Sequence, residues 1–397
     1  MHILVVSNQF PSKYSPFSGI FVYDQIQSLK NKNEIKEITI LIPNYFLEEK
    51  IEKKKDFIIF RFNPYIKINE NKSPLLRNLF AGVKGKIHIT LFFFSQLYNL
   101  LKILKKENID LIHAHWVIPS GITSILASMF MRKKIVLTSH GSDISMCDDS
   151  IILKLIVRFA LKNTDFYIPI SNQMRNKALE IVKETIPLKR IYLGVHDDIY
   201  DINKPSDKNN RNSKESKFHI VFVGFLYPIK GIDFLLKIIK DLSLIRNDFI
   251  FDIVGDGELM LFLKNFINKN NLYKYVKIHG SLTHFETLNI IKQSDLAIQT
   301  SKSEGLSVFL QEAVYFGLPV VATDVGGTCE IVKDRKNGFL IKYGQVKKAI
   351  EDINLILNNS DTRNKFSKKS MRIAQKKLNS EISTNKILKI YKSIVKY

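Results

Sequence analysis

Residues 219–231 read HIVFVGFLYPIKG, and this stretch is the clearest indication of the fold. Four consecutive apolar residues lead to Gly224, a turn runs through Pro228, and a helical pattern starts after Gly231. A buried strand, a glycine-containing turn and a helix, in this order, begin a Rossmann-like unit. The same order already occurs at ILVVS, residues 3–7, so the stretch marks the start of a second unit.

Short runs rich in Ile, Val and Phe alternate with helical patterns on both sides of this stretch, as expected for parallel strands buried on both faces. We predict strands at 3–7, 37–42, 57–62, 110–115, 135–139, 166–170, 190–193, 219–224, 249–254, 276–279, 295–300 and 319–323. We predict helices at 25–30, 93–106, 121–130, 151–162, 231–242, 258–270, 284–292 and 307–316. The sequence therefore predicts an α/β protein with two doubly wound domains, and a ligand at the carboxyl ends of their strands. Neither unit has the G-x-G-x-x-G fingerprint of a dehydrogenase.

A polar segment, DINKPSDKNNRNSKESK at 201–217, separates the two units. It contains almost nothing apolar after Ile202, so it predicts a solvated linker. We therefore expect an N-terminal Rossmann-like domain at 1–200, the linker at 201–217, and a C-terminal Rossmann-like domain at 218–375. A basic helix at 376–397 follows and can cross back to the N-terminal domain.

The chain of 397 residues carries a net charge of +22, from 60 Lys+Arg against 38 Asp+Glu. This excess favours anionic partners such as phosphorylated substrates or lipid headgroups. A Lys-, Asn- and Ile-rich composition from AT-rich coding explains the charge equally well. No nucleic-acid-reading motif is present, so we expect no nucleic-acid partner.

The cysteines and the N-terminal residues indicate the cellular compartment of the protein. Cys147 and Cys329 form neither a disulfide framework nor a metal knuckle. The N-terminus, MHILVVSNQF, lacks signal-peptide features. The apolar stretch 87–104 is interrupted by polar residues and falls short of the roughly 20 residues that span a bilayer. We expect a cytoplasmic protein that touches the membrane without crossing it.

The strongest candidate site is EGLSVFLQE at 304–312, where seven residues separate two carboxylates. Gly305 permits close backbone approach. The amides of Leu306, Ser307 and Val308 form a helix N-terminus that attracts phosphate oxygens. Taken alone, the pattern also fits a helix with one acid at its N-terminus and another on a solvated face.

Two further segments follow predicted strands. Lys230 lies where an ammonium can stabilise a departing diphosphate, although a surface lysine before a helix looks the same in sequence. In TSHGSD at 138–143, His140 stands at a strand end where a neutral imidazole can donate to a sugar hydroxyl. The pair His113 and His115 lacks a third ligand at metal spacing, so we interpret it as packing and cleft lining.

Together these segments resemble the family-four retaining glycosyltransferases, which adopt the GT-B fold of two Rossmann-like domains facing each other across a cleft. The resemblance covers nearly the whole chain. It includes SGIFV at 18–22, DLIHAHW at 110–116, TSHGSD, the stretch 223–231, EGLSVFLQE, GLPVVATDVGG at 317–327 and NGFLI at 337–341. It implies an acceptor-binding N-terminal domain and a C-terminal domain that binds a nucleotide-sugar donor.

The resemblance also implies roles for individual residues. Glu304 would contact the donor sugar, Glu312 the ribose, Lys230 the diphosphate, and His140 the transferred sugar. The implied catalytic residues are Glu304, His140 and Lys230; donor binding adds Gly224, Gly305, Leu306, Ser307, Val308 and Glu312; and Gly19, Asp143 and His115 line the acceptor side. The family uses no metal or cofactor, and the nucleotide-sugar is a co-substrate. A UDP-sugar is the favoured donor, with GDP-mannose second. A lipid-linked or polysaccharide acceptor at an anionic membrane surface is implied, as in lipopolysaccharide or capsule synthesis.

Two positions depart from the family pattern. Phe225 stands where the family usually has arginine after the glycine of the second unit's first strand, and Leu193-Gly194-Val195 replaces Asn-Gly-Val. The first change removes one cation from the site of the leaving group, so Lys230 is the cation expected to stabilise it. The alternatives to a transferase are a nucleotide-sugar epimerase and a non-catalytic GT-B protein that binds glycan or a partner.

Overall fold

The computed structural model describes residues 1–65, 82–148, 150–195 and 217–395. The chain forms two compact units. Unit 1 comprises Met1–Leu193 and Glu381–Tyr397, and unit 2 comprises Gly194–Ser380. The first boundary thus precedes the expected one at residue 200, and the return to unit 1 follows residue 380. The predicted linker 201–217 lies outside the described residues, apart from Lys217.

Unit 1 is built on a seven-stranded sheet in the order β3-β4-β2-β1-β5-β6-β7. Neighbouring strands are parallel except β3, which runs antiparallel to β4. The strands are β1 (His2–Val6), β2 (Glu37–Pro43), β3 (Ile51–Lys53), β4 (Ile58–Phe62), β5 (Leu111–His115), β6 (Lys134–Ser139) and β7 (Phe166–Pro169). The helices are α1 (Ile20–Lys30), α2 (Gly82–Lys106), α3 (Ile122–Met131), α4 (Ser142–Ser145), α5 (Ile151–Lys162) and α6 (Asn172–Val182).

Both faces of this sheet are buried because successive strand residues point to opposite sides. Leu4 and Val6 of β1 join a core with residues from α2, α3, α5 and α6. Ile3 and Val5 join a second core with residues from α1 and from α14 (Ser380–Val395), the C-terminal helix. The near-continuous apolar strands of the sequence are therefore explained by helices on both faces.

Unit 2 has a six-stranded parallel sheet in the order β10-β9-β8-β11-β12-β13. Its strands are β8 (Phe218–Val223), β9 (Phe249–Val254), β10 (Val276–Gly280), β11 (Leu296–Gln299), β12 (Val320–Thr323) and β13 (Gly338–Ile341). Its helices are α7 (Ile232–Ser243), α8 (Met260–Lys269), α9 (His284–Gln293), α10 (Val308–Tyr315), α11 (Thr328–Ile331), α12 (Val346–Asn358) and α13 (Ser360–Lys377). One apolar core joins this sheet to α7, α8 and α12.

The prediction of two parallel-sheet α/β units is confirmed, but several elements differ from it. No strand forms at 190–193. The bridge to β7 lies before this segment, between Tyr167 and Leu188, and within the segment the amide of Ile191 donates to the carbonyl of Pro169 at 3.1 Å. The short strands β3 and β13 were not predicted. Helix α2 begins at Gly82 rather than at residue 93, which makes it long and apolar enough to span a bilayer by those two criteria alone.

Candidate active site

In unit 2 the loops after β8 and β11 meet at one edge of the sheet, because these neighbouring strands are parallel. Gly231 follows the first loop with φ +66°, and a Cβ there would lie 2.0 Å from the carbonyl oxygen of Thr300. Only glycine fits such an approach. The Thr300 hydroxyl donates to the carbonyl of Lys230 at 3.0 Å, so the two loops are fixed to each other.

This junction brings Lys230 and Glu304 together. The Nζ of Lys230 lies 2.6 Å from Oε1 of Glu304, and the Ser301 hydroxyl donates to the same oxygen at 2.6 Å. The side chains are 25% and 10% exposed, so the lysine is the more accessible partner. Sequence analysis missed Ser301, whose only signal is its place three residues before Glu304. The pair supplies one ammonium and one carboxylate at the strand edge.

The loop after Glu304 runs into helix α10. Ser307 is the N-cap, and its side chain accepts from the amide of Leu310 at 3.3 Å. The carbonyl of Gly305 accepts from the amide of Gly327 at 3.0 Å, which fixes the loop before the helix. Helix N-termini present amides and a partial positive charge to anions. The predicted helix N-terminus is therefore present, with Ser307 as its cap and Val308 as the first helical residue.

The second carboxylate of the motif, Glu312, is buried in the body of α10. Its Oε1 lies 2.6 Å from Nε2 of His284, the first residue of α9. Sequence reasoning did not select His284, since the spacing between the two residues carries no signal before the helices are packed. The contact holds Glu312 in one orientation.

Gly224 and Phe225 directly follow β8. A Cβ at Gly224 would meet only side-chain atoms, at 3.8–3.9 Å, including Cδ and Cε of Lys230. At these distances a Cβ would make ordinary van der Waals contacts, so the space around Gly224 does not require glycine. Phe225, at the position of the family's arginine, stacks on Tyr227 with ring centroids 5.5 Å apart. No cation replaces the arginine at this position of the chain.

In unit 1 the predicted site residues gather at the ends of β5 and β6. Nδ1 of His115 lies 3.0 Å from Nε2 of His140, and the two rings stack. Phe21 and Trp116, which sequence analysis did not select, each lie 4.6 Å from the His140 ring. Nδ1 of His140 is buried and has no hydrogen-bond partner in the described part of the chain. The described residues therefore leave the hydrogen-bonding capacity of this buried nitrogen unused.

Asp143 has a different role from the predicted contact with acceptor. Its Oδ1 accepts from the amides of His140 and Gly141, at 3.2 and 2.9 Å, and its Oδ2 accepts from the amide of Val117 at 2.9 Å. Burial raises the pKa of this carboxyl although the three amides oppose the change. Asp143 positions the loops that carry His140, and both its oxygens are already used.

Gly19 also has a structural role. It precedes α1 with φ +64°, and a Cβ there would lie 2.4 Å from the carbonyl oxygen of Gln9. This approach requires glycine.

The three neighbouring histidines are neutral. Burial lowers the pKa of His113 to about 3 and that of His140 to about 3, and it also lowers the pKa of His115. His113 is saturated, since its ring nitrogens contact the Tyr391 hydroxyl at 2.6 Å and the Thr138 hydroxyl at 2.8 Å. A neutral His140 can exchange a hydrogen bond with a sugar hydroxyl without adding charge.

These histidines predict acid sensitivity. An unfolded histidine has a pKa of about 6.5. Above that value both states are neutral, but as pH falls from about 6.5 towards 3 the unfolded chain takes up protons that the folded chain excludes. Each histidine then removes about 1.4 kcal/mol of stability per pH unit. Thermal unfolding between about pH 8 and 5 measures the loss, which His140→Asn should reduce and exposed His88→Gln should not. A melting temperature that does not fall over this range would contradict the burial argument.

Two comparisons of sequence place the chain among known proteins. The model of the family "Glycosyl transferases group 1" matches residues 203–372, and that of "Glycosyl transferase 4-like" matches 69–171. An uncharacterized glycosyltransferase of Methanocaldococcus jannaschii is 30% identical over 356 residues, which are 88% of this chain and 93% of the relative. The chain belongs to the group 1 glycosyltransferases.

Two further proteins that are similar to this group 1 glycosyltransferase carry the name of a nucleotide-sugar in their descriptions. The UDP-Gal:alpha-D-GlcNAc-diphosphoundecaprenol alpha-1,3-galactosyltransferase of Escherichia coli is 29% identical over 277 residues, covering 64% of this chain and 68% of that protein. The structure of Anabaena HepE in complex with UDP-glucose matches with a TM-score of 0.72 at 19% identity, over 99% of this chain and all of that one. The likeness confirms the GT-B fold.

No three His, Cys, Asp or Glu side chains of the described ranges come together as a potential metal site. In unit 2 the candidate site residues are Lys230, Glu304, Glu312 and the N-terminus of α10. In unit 1 the candidate residue is His140.

Proposed function

We propose that this glycosyltransferase moves a sugar from a nucleotide-diphosphate-sugar to a lipid-linked or polysaccharide acceptor, with retention of configuration and without a metal ion. The observation that carries the proposal is the 2.6 Å contact between Lys230 and Glu304 beside the N-terminus of α10. An ammonium and helix amides suit a diphosphate, and carboxylates suit sugar and ribose hydroxyls. A UDP-sugar is the favoured donor, supported by the UDP-glucose and UDP-Gal named for relatives, with GDP-mannose second.

In the proposed reaction the bond between the anomeric carbon and the diphosphate breaks, and its electron pair leaves on the phosphate oxygen. The acceptor hydroxyl attacks from the same face, and its proton passes to that oxygen. Lys230 exchanges Glu304 for the diphosphate and stabilises the charge that develops on it. Glu304 orients the sugar, the resemblance to the family implies the same role for neutral His140, and no enzyme nucleophile is required.

We further propose that the protein works in the cytoplasm, at the inner face of the membrane, in cell-envelope glycan synthesis. The net charge of +22 supports attraction to anionic lipid. The diphosphoundecaprenol acceptor in the name of the Escherichia coli relative supports a lipid-linked substrate. One observation favours a second function, a non-catalytic GT-B protein: Phe225 takes the place of the family's arginine.

A thermal-shift screen of UDP- and GDP-sugars with EDTA present tests donor and metal together. A donor that binds only the folded protein stabilises it by about 2.7 kcal/mol at a hundredfold excess over Kd. We expect a UDP-sugar to raise the melting temperature, and EDTA to leave this rise unchanged. We then expect turnover that gives an α-linked product from an α-linked donor. A rise without turnover on any lipid-linked acceptor would favour the non-catalytic protein. No rise in melting temperature with any nucleotide-sugar would contradict the transferase and favour a non-catalytic protein that binds glycan or a partner.

A further inference from the structure

Helix α2 carries an exposed apolar stripe. Val83, Ile87, Leu91, Phe94 and Tyr98 are exposed and recur every three or four residues, so they share one side of the helix. Soluble proteins rarely leave a contiguous apolar face of this kind without a partner.

The opposite side of α2 is fixed to the body of unit 1. Phe92 and Leu100 are fully buried in its core. Buried Gln96 donates to the Ser120 hydroxyl at 3.0 Å and accepts from the Thr123 hydroxyl at 2.9 Å. The exposed stripe is therefore directed away from the sheet, in a helix that its polar contacts hold in place.

Helix α5 adds a second exposed apolar row on the same face of the sheet. Helix α3 packs against both α2 and α5 and lies between them. Its Ile122 and Leu126 are half-buried, so it contributes apolar surface between the two rows. We call the combined surface the docking face. It comprises Val83, Ile87, Leu91, Phe94 and Tyr98 of α2 and Ile151, Ile152, Leu155 and Phe159 of α5.

The charged residues of these three helices indicate which kind of partner fits this face. None of the three helices contains an acidic residue. Their cations are Lys84, Lys86, Lys102, Lys105 and Lys106 of α2 and Lys154, Arg158 and Lys162 of α5. A symmetric contact with a second copy would set these cations against each other. An apolar face bordered by lysines and free of carboxylates matches an anionic lipid surface.

The helices of the docking face begin at the edge of the sheet where His140 lies. Helices α2, α3 and α5 connect parallel strands, so their N-termini lie at the carboxyl edge of the sheet. His140 stands at that edge, and α5 begins eleven residues after it at Ile151. The start of the docking face at Ile151 therefore lies at the same edge of the sheet as His140.

We propose that the docking face binds the surface of an anionic membrane, with α2 and α5 lying in its plane. The link to a lipid-linked acceptor rests on the proposed function, whereas the binding itself does not. The test is flotation of the full chain with vesicles of phosphatidylcholine, alone or mixed with phosphatidylglycerol. We expect flotation with the mixed vesicles, weakened by salt.

Two double variants and a matched control locate the contact. Ile151→Ser with Ile152→Ser removes side chains that are 79% and 70% exposed, so the fold should be preserved. We expect at least about tenfold weaker binding to mixed vesicles, because interfacial affinity scales with apolar area. Phe94→Ser with Tyr98→Ser should act likewise. The control, Leu244→Ser with Ile245→Ser, changes residues 76% and 62% exposed in unit 2 and should bind as wild type.

Each result of these binding experiments supports or overturns the docking face. Equal binding by the α5 variant and wild type would overturn the docking face, as would equal loss in the control. A concentration-dependent dimer that the α5 variant dissolves, with no vesicle binding, would assign the face to a second copy instead. UDP-induced thermal shifts in the same samples report on donor binding separately. A protein that binds vesicles but not UDP would therefore refute the proposed function and leave the docking face intact.

Discussion

Lys230→Met is expected to reduce the kcat of sugar transfer by about 10²–10³-fold, the usual loss when a donor to a developing negative charge is removed. Methionine keeps the length of the side chain and removes its charge. The lysine lies 2.6 Å from Glu304, and Phe225 stands in the sequence where the family usually has an arginine. Kinetics with a UDP-sugar measure the loss, and Glu304→Gln should also reduce transfer sharply.

The structural contribution of the pair can be separated from its catalytic one. Removing Lys230 leaves a largely buried carboxylate with Ser301 as its remaining donor, which costs stability. The double variant Lys230→Met with Glu304→Gln should recover the melting temperature but not the activity. Exposed Lys237→Met on α7 is the matched control and should behave as wild type. Turnover near wild type in both Lys230→Met and Glu304→Gln would reject their catalytic roles.

Deleting Glu381–Tyr397 is expected to unfold unit 1. The deleted segment buries Ile387, Leu388, Ile390, Tyr391 and Ile394 in the core that includes β1. At about 1.5–3 kcal/mol for each side chain, the lost burial matches the whole stability of a typical domain, about 5–15 kcal/mol. Circular dichroism and limited proteolysis of the truncated chain measure the effect.

Point variants in α14 refine this prediction. Tyr391→Phe removes the hydroxyl that meets Nδ1 of His113 at 2.6 Å, and a buried polar group left unpaired costs about 1–3 kcal/mol. Tyr391→Ala should cost about 3–5 kcal/mol through the cavity it leaves. Lys389→Ala changes an exposed residue of the same helix and should reduce the stability of the protein only slightly. A truncated chain with unchanged melting would show that α14 is dispensable to the core.

Strong local patterns made much of the fold predictable. The apolar strands and the restart at residue 219 indicated two parallel-sheet units, because such runs require helices on both faces. The three-residue strand β3 is too short to leave a pattern. The segment 190–193 is apolar at Ile191 and Leu193, but its neighbour β7 offers only an edge.

The candidate site was predictable only in part. Lys230, Glu304 and Glu312 could be selected because each stands in a motif at a fixed distance from a strand or helix. His284 could not, because its 2.6 Å contact with Glu312 exists only after α9 and α10 are packed. The same limit applies to Asp143, whose partners are backbone amides that any residues would supply.

Calorimetric titration of UDP and uridine into wild type and Lys230→Met, with EDTA present, tests the central claim most directly. The two ligands differ only in the diphosphate, so their difference in affinity reports on the atoms that hold it. Wild type should bind UDP at least about a hundredfold more tightly than uridine, because charged hydrogen bonds contribute about 1.5–3 kcal/mol each. Lys230→Met should lose about tenfold or more for UDP and nothing for uridine. Retention of the full preference for UDP in Lys230→Met would show that the diphosphate is held elsewhere.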